Sequence, residues 1–154
     1  ITDVVMEVIN EYLKIGYIPD IICCLYPTAP LLNQNDLISS IDMIKKDDNV
    51  TTVLPVVKYS FPIQRALELG EKGILKYIWP NNMNRRSQDL TSSYHDAGQF
   101  VIIQKDAFLK YKTFFHSGTY GIVLPEYRVQ DIDTLADWEI AQIKYRYLKE
   151  HISE

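Results

Sequence analysis

The chain has 154 residues, 47% hydrophobic and 23% charged, which is the profile of one globular domain with enough apolar mass for a sizeable core. The formal net charge is −4 with Lys and Arg scattered, so no basic face is offered to duplex nucleic acid and no such partner is expected. No apolar run approaches the ~18 residues of a membrane span, and no signal-peptide core is present, so a cytoplasmic protein without membrane contacts is expected. The two cysteines, Cys23 and Cys24, are neighbours in an apolar run. Adjacent strand residues point to opposite faces, so the pair is expected as two small buried hydrophobes rather than a disulfide. The chain starts at Ile1 inside a helical pattern, and a fragment lacking an N-terminal part is expected.

Thr2 and Asp3 can cap a first helix whose Val4, Val5, Val8, Ile9, Tyr12 and Leu13 build an apolar stripe, with Gly16 as its stop. Residues 20–25 (Asp-Ile-Ile-Cys-Cys-Leu) then read as a strand buried on both faces. A stiff loop follows, Tyr26-Pro-Thr-Ala-Pro30, at the end of the strand where ligands sit in open α/β sheets. A helix over about 34–46 carries Leu37, Ile38, Ile41 and Ile44 on one face, and a strand is expected over 49–58. Helix, strand, helix, strand argues for a parallel α/β sheet. The pattern then changes. Two short apolar stretches about a glycine-bearing turn, within 59–75, predict a β-hairpin. A polar loop over 79–90 is too long for a simple connection. A strand at the end of 94–103, a helix over about 106–114, a strand near 120–124 and a helix from Thr134 to about His151 complete the chain. Thr134 and Asp137 have capping-box spacing for that last helix.

The chemistry-bearing groups are few. Asp131 and Asp133 flank Ile132 just before the last helix. In an extended segment their side chains share a face, about 7 Å apart at the backbone. Two carboxylates so placed can converge on one hard cation; equally, Asp133 can cap the helix and Asp131 can be solvated. No Ser-His-Asp arrangement and no metal-type Cys/His spacing occurs. His95 stands beside Asp96 in a polar cluster, where a structural and a ligand-facing role are both open. His116 and His151 read as surface residues. Arg65, Arg85 and Arg86 are the anion-binding candidates, because guanidinium forks match phosphates and carboxylates. No glycine-rich phosphate loop occurs. The residues alone point to an acidic α/β domain with a candidate cation site, suited to phosphoryl or nucleotidyl chemistry.

Four motifs, in order along the chain, carry a resemblance. Leu25-Tyr-Pro-Thr-Ala-Pro-Leu31 is similar to Leu-Gln-Pro-Thr-Ser-Pro-Leu of the acylneuraminate cytidylyltransferases, enzymes that activate sialic-acid-like sugars with CTP. Arg86-Ser-Gln-Asp-Leu90 resembles their Arg-Gln-Asp-Leu, and Asp131-Ile-Asp-Thr134 their metal-binding Asp-Ile-Asp-Thr. Within the family, Ser60-Phe-Pro-Ile-Gln-Arg-Ala-Leu67 and residues 86–100 look most like the branch acting on pseudaminic acid. The resemblance implies an incomplete Rossmann-like nucleotide-diphospho-sugar transferase fold, of which residues 1–154 would be the C-terminal two-thirds. It also implies a β-hairpin and loop insertion over about 60–100 for homodimerisation, reaching over the neighbouring active site. The implied reaction joins CTP and a nine-carbon nonulosonic acid sugar into a CMP-sugar, with release of pyrophosphate and with Mg²⁺ offsetting phosphate charge. Asp131 and Asp133 would hold Mg²⁺ and Arg86 would meet an anion, these three forming the catalytic group. Thr28 would flank the nucleotide. Gln64, Arg65, Tyr94, His95, Asp96 and Gln99 would line the sugar side.

Departures from the family pattern limit what carries over. Tyr26 replaces a Gln that contacts sugar or nucleotide, and Gln64 stands near the place of a Lys. Ala97 and Gln99 alter the Asn-Gly-Ala stretch, which implies a different sugar pocket. The family's Ala-Arg-Gly-Gly-Ser-Lys loop, which binds CTP phosphates, is absent from this sequence, so the chain alone is expected to be inactive. Two other readings stay open: a sibling enzyme acting on N-acetylneuraminate, legionaminate or 3-deoxy-octulosonate, and a truncated dimerisation and sugar-binding module.

Overall fold

The fold is seen in a computed structural model that describes residues 1–151. Helix α1 (Thr2–Lys14) leads to β1 (Ile21–Leu25), α2 (Gln34–Lys46) and β2 (Thr52–Lys58). A small outlying hairpin follows, β3 (Leu67–Leu69) and β4 (Leu75–Tyr77), and then β5 (Tyr94–Asp96), β6 (Phe100–Gln104), α3 (Lys105–Tyr111), β7 (Thr119–Leu124) and α4 (Leu135–His151). Among the described residues, no helix is long and apolar enough to cross a membrane.

The domain is α/β, but its sheet is mainly antiparallel, which overturns the expected parallel arrangement. β6 lies between β1 and β2 and runs against both, β5 continues along β2 in the same sense, and only β7 pairs parallel to β2. β1, β2 and β7 therefore all point one way. The alternation of helix and strand did indicate that common direction; it could not reveal which strand would enter between them. The reason is the connection after β2, which carries no crossover helix. The chain leaves through the hairpin and returns as β5 and β6, antiparallel to the strand it left.

β6 is the strand at the centre of the core. Phe100, Val101, Ile102 and Ile103 are each at most 1% exposed. Val101 and Ile103 face one layer, built with Val5 and Ile9 of α1 and Ala107 and Phe108 of α3. Phe100 and Ile102 face the other, with Ile44 of α2 and Val53 of β2. Strand alternation thus feeds two helical layers. β1, expected to be buried on both faces, is instead an edge strand among the described residues, with Cys23 and Leu25 exposed. The cysteines are both free; the expected burial fails for Cys23, which is exposed, and is only partial for Cys24.

Local details differ similarly. The N-cap of α1 is Ile1 with no side-chain cap, so Thr2 and Asp3 lie inside the helix. Its C-terminus is a Schellman turn at Gly16 (φ +80°), with Tyr17 N–H donating to Tyr12 O and Gly16 N–H to Leu13 O, each at 3.0 Å. The stripe of α1 is only half used: Val5 and Ile9 are buried while Val4, Val8 and Tyr12 are exposed. α3 ends at Tyr111 rather than Phe114, because Lys112 takes a left-handed conformation there. His116 is not a plain surface residue. Its Nδ1 accepts from Gly118 N–H at 3.1 Å, so Nε2 carries the proton and donates to the buried Thr52 hydroxyl at 2.9 Å. Tyr111 stacks on its ring, centroids 4.3 Å apart.

Candidate functional site

One cleft of about 430 Å³ gathers carboxylates, lysines and a histidine from three parts of the chain. The end of β2 supplies Lys58, followed by Tyr59 and Ser60; β5 supplies His95 and Asp96. The segment between β7 and α4 brings Glu126, Asp131 and Asp133, and α4 closes the cleft with Asp137 and Lys144.

A bulge in the returning strand shapes its floor. Val56 faces Asp96 but Val53 faces Ile102, so three steps along β2 match six along β5–β6. The surplus is absorbed at residues 97–99, and such insertions re-aim side chains beside active sites. Gly98 sits there at φ +63°, its N–H donating 2.8 Å to Asp96 Oδ1. A Cβ at position 98 would lie 3.5 Å from the Asp131 carboxyl carbon, an ordinary contact, so it is the positive φ and not lack of space that favours glycine beside the Asp131 loop. Gln99 turns inward and is buried, its Nε2 donating 2.8 Å to Arg128 O. The Arg128 guanidinium in turn pairs with Asp36 in the first turn of α2. Tyr26 N–H donates to Gln99 O at 3.0 Å, tying the loop after β1 to the same bulge.

Asp131 and Asp133 lie on one short segment and both line the cleft. Asp131 Oδ1 accepts from Ile132 N–H at 3.1 Å, and neither carboxylate is committed to an ion pair among the described residues. Thr134, not Asp133, is the N-cap, in a capping box with Asp137. Thr134 N–H and the Thr134 hydroxyl donate to Asp137 Oδ2 at 2.8 and 2.7 Å, and Asp137 N–H donates back to the hydroxyl at 3.3 Å. These bonds from Thr134 hold the Asp137 carboxyl below the usual carboxylate range. With a neighbour serving as cap, Asp131 and Asp133 keep oxygens free for a cation. No group of three or more His, Cys, Asp or Glu side chains with metal-holding geometry occurs among the described residues. Two carboxylates on an open cleft fit Mg²⁺ rather than Zn²⁺, since Mg²⁺ is commonly held by one or two carboxylates and completed by water and substrate phosphates.

The other residues singled out in the sequence divide between the cleft and elsewhere. His95 and Asp96 line it. His95 Nδ1 donates to the Asp96 carbonyl at 2.8 Å, which leaves Nε2 as an acceptor, and its ring packs on Tyr59 with centroids 4.9 Å apart. Tyr94 is absent from the cleft lining and instead borders a neighbouring groove with Phe115 and Tyr120, which His95 and Asp96 also line. Gln99 lies beneath the floor. Thr28 is exposed in the loop after β1. Gln64, Arg65 and Arg86 stand apart from the cleft: Gln64 Nε2 donates to Thr91 O at 3.0 Å, Arg65 to the Ser87 hydroxyl at 3.1 Å, and Arg86 Nε to Asp89 at 3.0 Å. Lys58, Tyr59, Glu126, Gln130 and Lys144 were not anticipated. Lys144 alone left a trace in the sequence: it falls on the helical row of Asp137, Ala141 and Leu148, the inward side of α4.

Known proteins share much of this sequence. A pseudaminic acid cytidylyltransferase of Campylobacter jejuni (strain 81-176) is 38% identical over 127 residues, covering 82% of this chain and 54% of the relative. One from Campylobacter jejuni strain NCTC 11168 is 36% identical over 145 residues, covering 94% and 62%. An N-acylneuraminate cytidylyltransferase A of Danio rerio is 26% identical over 141 residues, covering 89% and 32%. The chain thus spans between 54% and 62% of the length of the two Campylobacter proteins. No family model matches it.

Proposed function

Because the chain belongs to the acylneuraminate cytidylyltransferase family, we propose that its protein joins CTP and a free nonulosonic acid, pseudaminic acid, into the CMP-sugar with release of pyrophosphate. One observation carries the reading: Asp131 and Asp133, the motif shared with the family, face a single cleft with His95 and Asp96 while Thr134 and Asp137 cap the helix in their place. The finer fold assignment, an incomplete Rossmann-like nucleotide-diphospho-sugar transferase fold, rests on the common direction of β1, β2 and β7 and on a cleft outside the C-terminal end of β2.

In this mechanism Asp131 and Asp133 would hold Mg²⁺, which would supply charge neutralisation for the CTP phosphates; the sugar hydroxyl attacks the α-phosphorus in line and pyrophosphate leaves. His95, with Nε2 open, and Asp96 bind the sugar's polar groups. Thr28, in the loop held to the bulge through Tyr26 and Gln99, flanks the nucleotide. Gln64, Arg65 and Arg86 lie on the arm that includes the β3–β4 hairpin, whose Leu67, Leu69, Ile74 and Leu75 are exposed. We assign that arm to homodimerisation, with Arg86 offered to an anion in the neighbouring subunit's site. The protein acts in the cytoplasm, where CTP is supplied, and the chain by itself, without a loop for the CTP phosphates, is inactive.

Pyrophosphate release tests the reading. A full-length protein containing this chain is assayed with CTP, Mg²⁺ and pseudaminic, N-acetylneuraminic, legionaminic and 3-deoxy-octulosonic acids in turn. Pseudaminic acid is expected to give the highest kcat/KM, and Asp131→Asn to lower turnover on the order of 100-fold or more, since it removes a metal-held carboxylate. Turnover highest with another sugar overturns the substrate, and turnover with none of them overturns the activity.

A further inference from the structure

Lys144 is half-buried in the wall of the cleft, on a helix face that otherwise carries Asp137, Ala141 and Leu148. A lysine held there must satisfy its ammonium from the protein, because burial disfavours its charged form. It does so on the loop that carries the two carboxylates. Its Nζ donates to Val129 O at 2.6 Å and to Gln130 Oε1 at 3.0 Å. Since an ammonium can only donate, Gln130 must turn its oxygen to Lys144 and its NH₂ away. That NH₂ donates to Asp131 O at 3.0 Å and reaches Asp137 Oδ1 at 3.5 Å. Asp137 Oδ2 completes the line by accepting from Asp133 N–H at 3.2 Å and Thr134 N–H at 2.8 Å.

The consequence is a clamp on main chain only. Carbonyls of Val129 and Asp131 and amides of Asp133 and Thr134 are all held, while the carboxylates of Asp131 and Asp133 stay outside the network. We propose that Lys144 is a positioning residue, which through Gln130 and Asp137 sets the backbone of the Asp131–Asp133 segment so that both carboxylates meet one divalent cation. This rests on the proposed metal-dependent nucleotidyl transfer. Partners of metal ligands that never touch the metal are known to matter in this way, since mutating them typically costs 10–100-fold in metal affinity, about as much as is asked of Lys144 here.

The test uses the full-length protein and three readouts, Mn²⁺ binding, amide exchange and steady-state KM. Mn²⁺ binding in the presence of CTP is followed by electron paramagnetic resonance for wild type, Lys144→Met, Lys144→Arg and Asp131→Asn. Backbone amide hydrogen exchange is measured on the same proteins without metal. Lys144→Met is expected to weaken Mn²⁺ binding on the order of 10-fold and to speed exchange at Asp133 and Thr134. Amides of α4 beyond Ala141 should stay protected. Lys144→Arg, which still donates, should recover most of the loss. Wild-type Mn²⁺ affinity in Lys144→Met, with Asp131→Asn weakened, overturns the positioning role and leaves the metal site standing. A rise in KM for CTP or sugar at unchanged Mn²⁺ affinity would make Lys144 a substrate contact and also overturns it. Loss of protection along the whole of α4 would reduce Lys144 to a helix-docking residue and overturns the positioning role as well. Unchanged affinity in Asp131→Asn instead removes the two-carboxylate site itself.

Discussion

Two regions of this chain use the same apolar residue types to opposite ends. In the sheet core, Phe100 to Ile103 meet helices on both faces and almost vanish from solvent. In the arm leaving β2, Leu69 and Leu75 stand on a two-stranded hairpin that no layer covers, and remain 71% and 59% exposed. An isolated hairpin is marginal in water, and exposed apolar residues so concentrated are the usual mark of an interface. The difference is one of neighbours, since strand chemistry is alike in both. In the core, side chains contribute to stability within one chain; in the arm, they are available to a second molecule.

The sharpest way to break that contrast is a matched pair of truncations. Phe100→Ala is expected to cost about 3–5 kcal/mol, the usual loss for a buried Phe, read as a drop in the midpoint of urea unfolding. Leu75→Ser is expected within about 0.5 kcal/mol of wild type for the monomer, yet to shift sedimentation from dimer toward monomer in the full-length protein. Equal destabilisation by both would mean that the hairpin belongs to the core.

A smaller effect separates the core from the loop seated on it. Arg128 and Asp36 form a largely buried pair joining the Asp131 loop to α2. Removing one partner leaves a buried charge, so Arg128→Met should destabilise by about 3 kcal/mol, and the double change with Asp36→Leu should restore part of it. Chemical unfolding of the two variants measures both.

The smallest is a pH dependence confined to the core rim. Burial, with Lys110 adding to it, holds the His116 imidazole below its ordinary value. A His that is neutral in the fold and more readily protonated when unfolded contributes stability fully above the unfolded value near 6.5, and that stability is lost as pH falls through the folded value. Thermal melts between pH 8 and 5 should show the decline, and His116→Gln, which keeps a donor for Thr52, should flatten it. An unchanged slope would place the titration elsewhere.

Much of the fold was legible in the sequence because its signals are local. Periodicity marked α1, α2, α4 and β6, and Gly16 marked a stop whose hydrogen bonds need only six consecutive residues. The glycine-bearing turn marked the hairpin. Thr134 and Asp137 announced a capping box, and the box is what leaves Asp131 and Asp133 free of helix duty. The two aspartates needed only their spacing to be seen as a pair.

Strand neighbours were decided by tertiary structure. Alternating helices and strands indicated a common direction for β1, β2 and β7, but whether β6 enters between β1 and β2 depends on pairings between residues far apart in the chain, such as Ile21 with Gln104 and Thr52 with Ile103, which no local pattern encodes. The same holds at the cleft. Gln130 and Lys58 look like ordinary polar residues until α4 is docked, and Gln99, expected on the sugar side, is turned inward by a three-residue bulge. Sequence carried the chemistry of Asp131 and Asp133; packing supplied the groups that hold them, because hydrogen-bond partners are chosen by proximity in space.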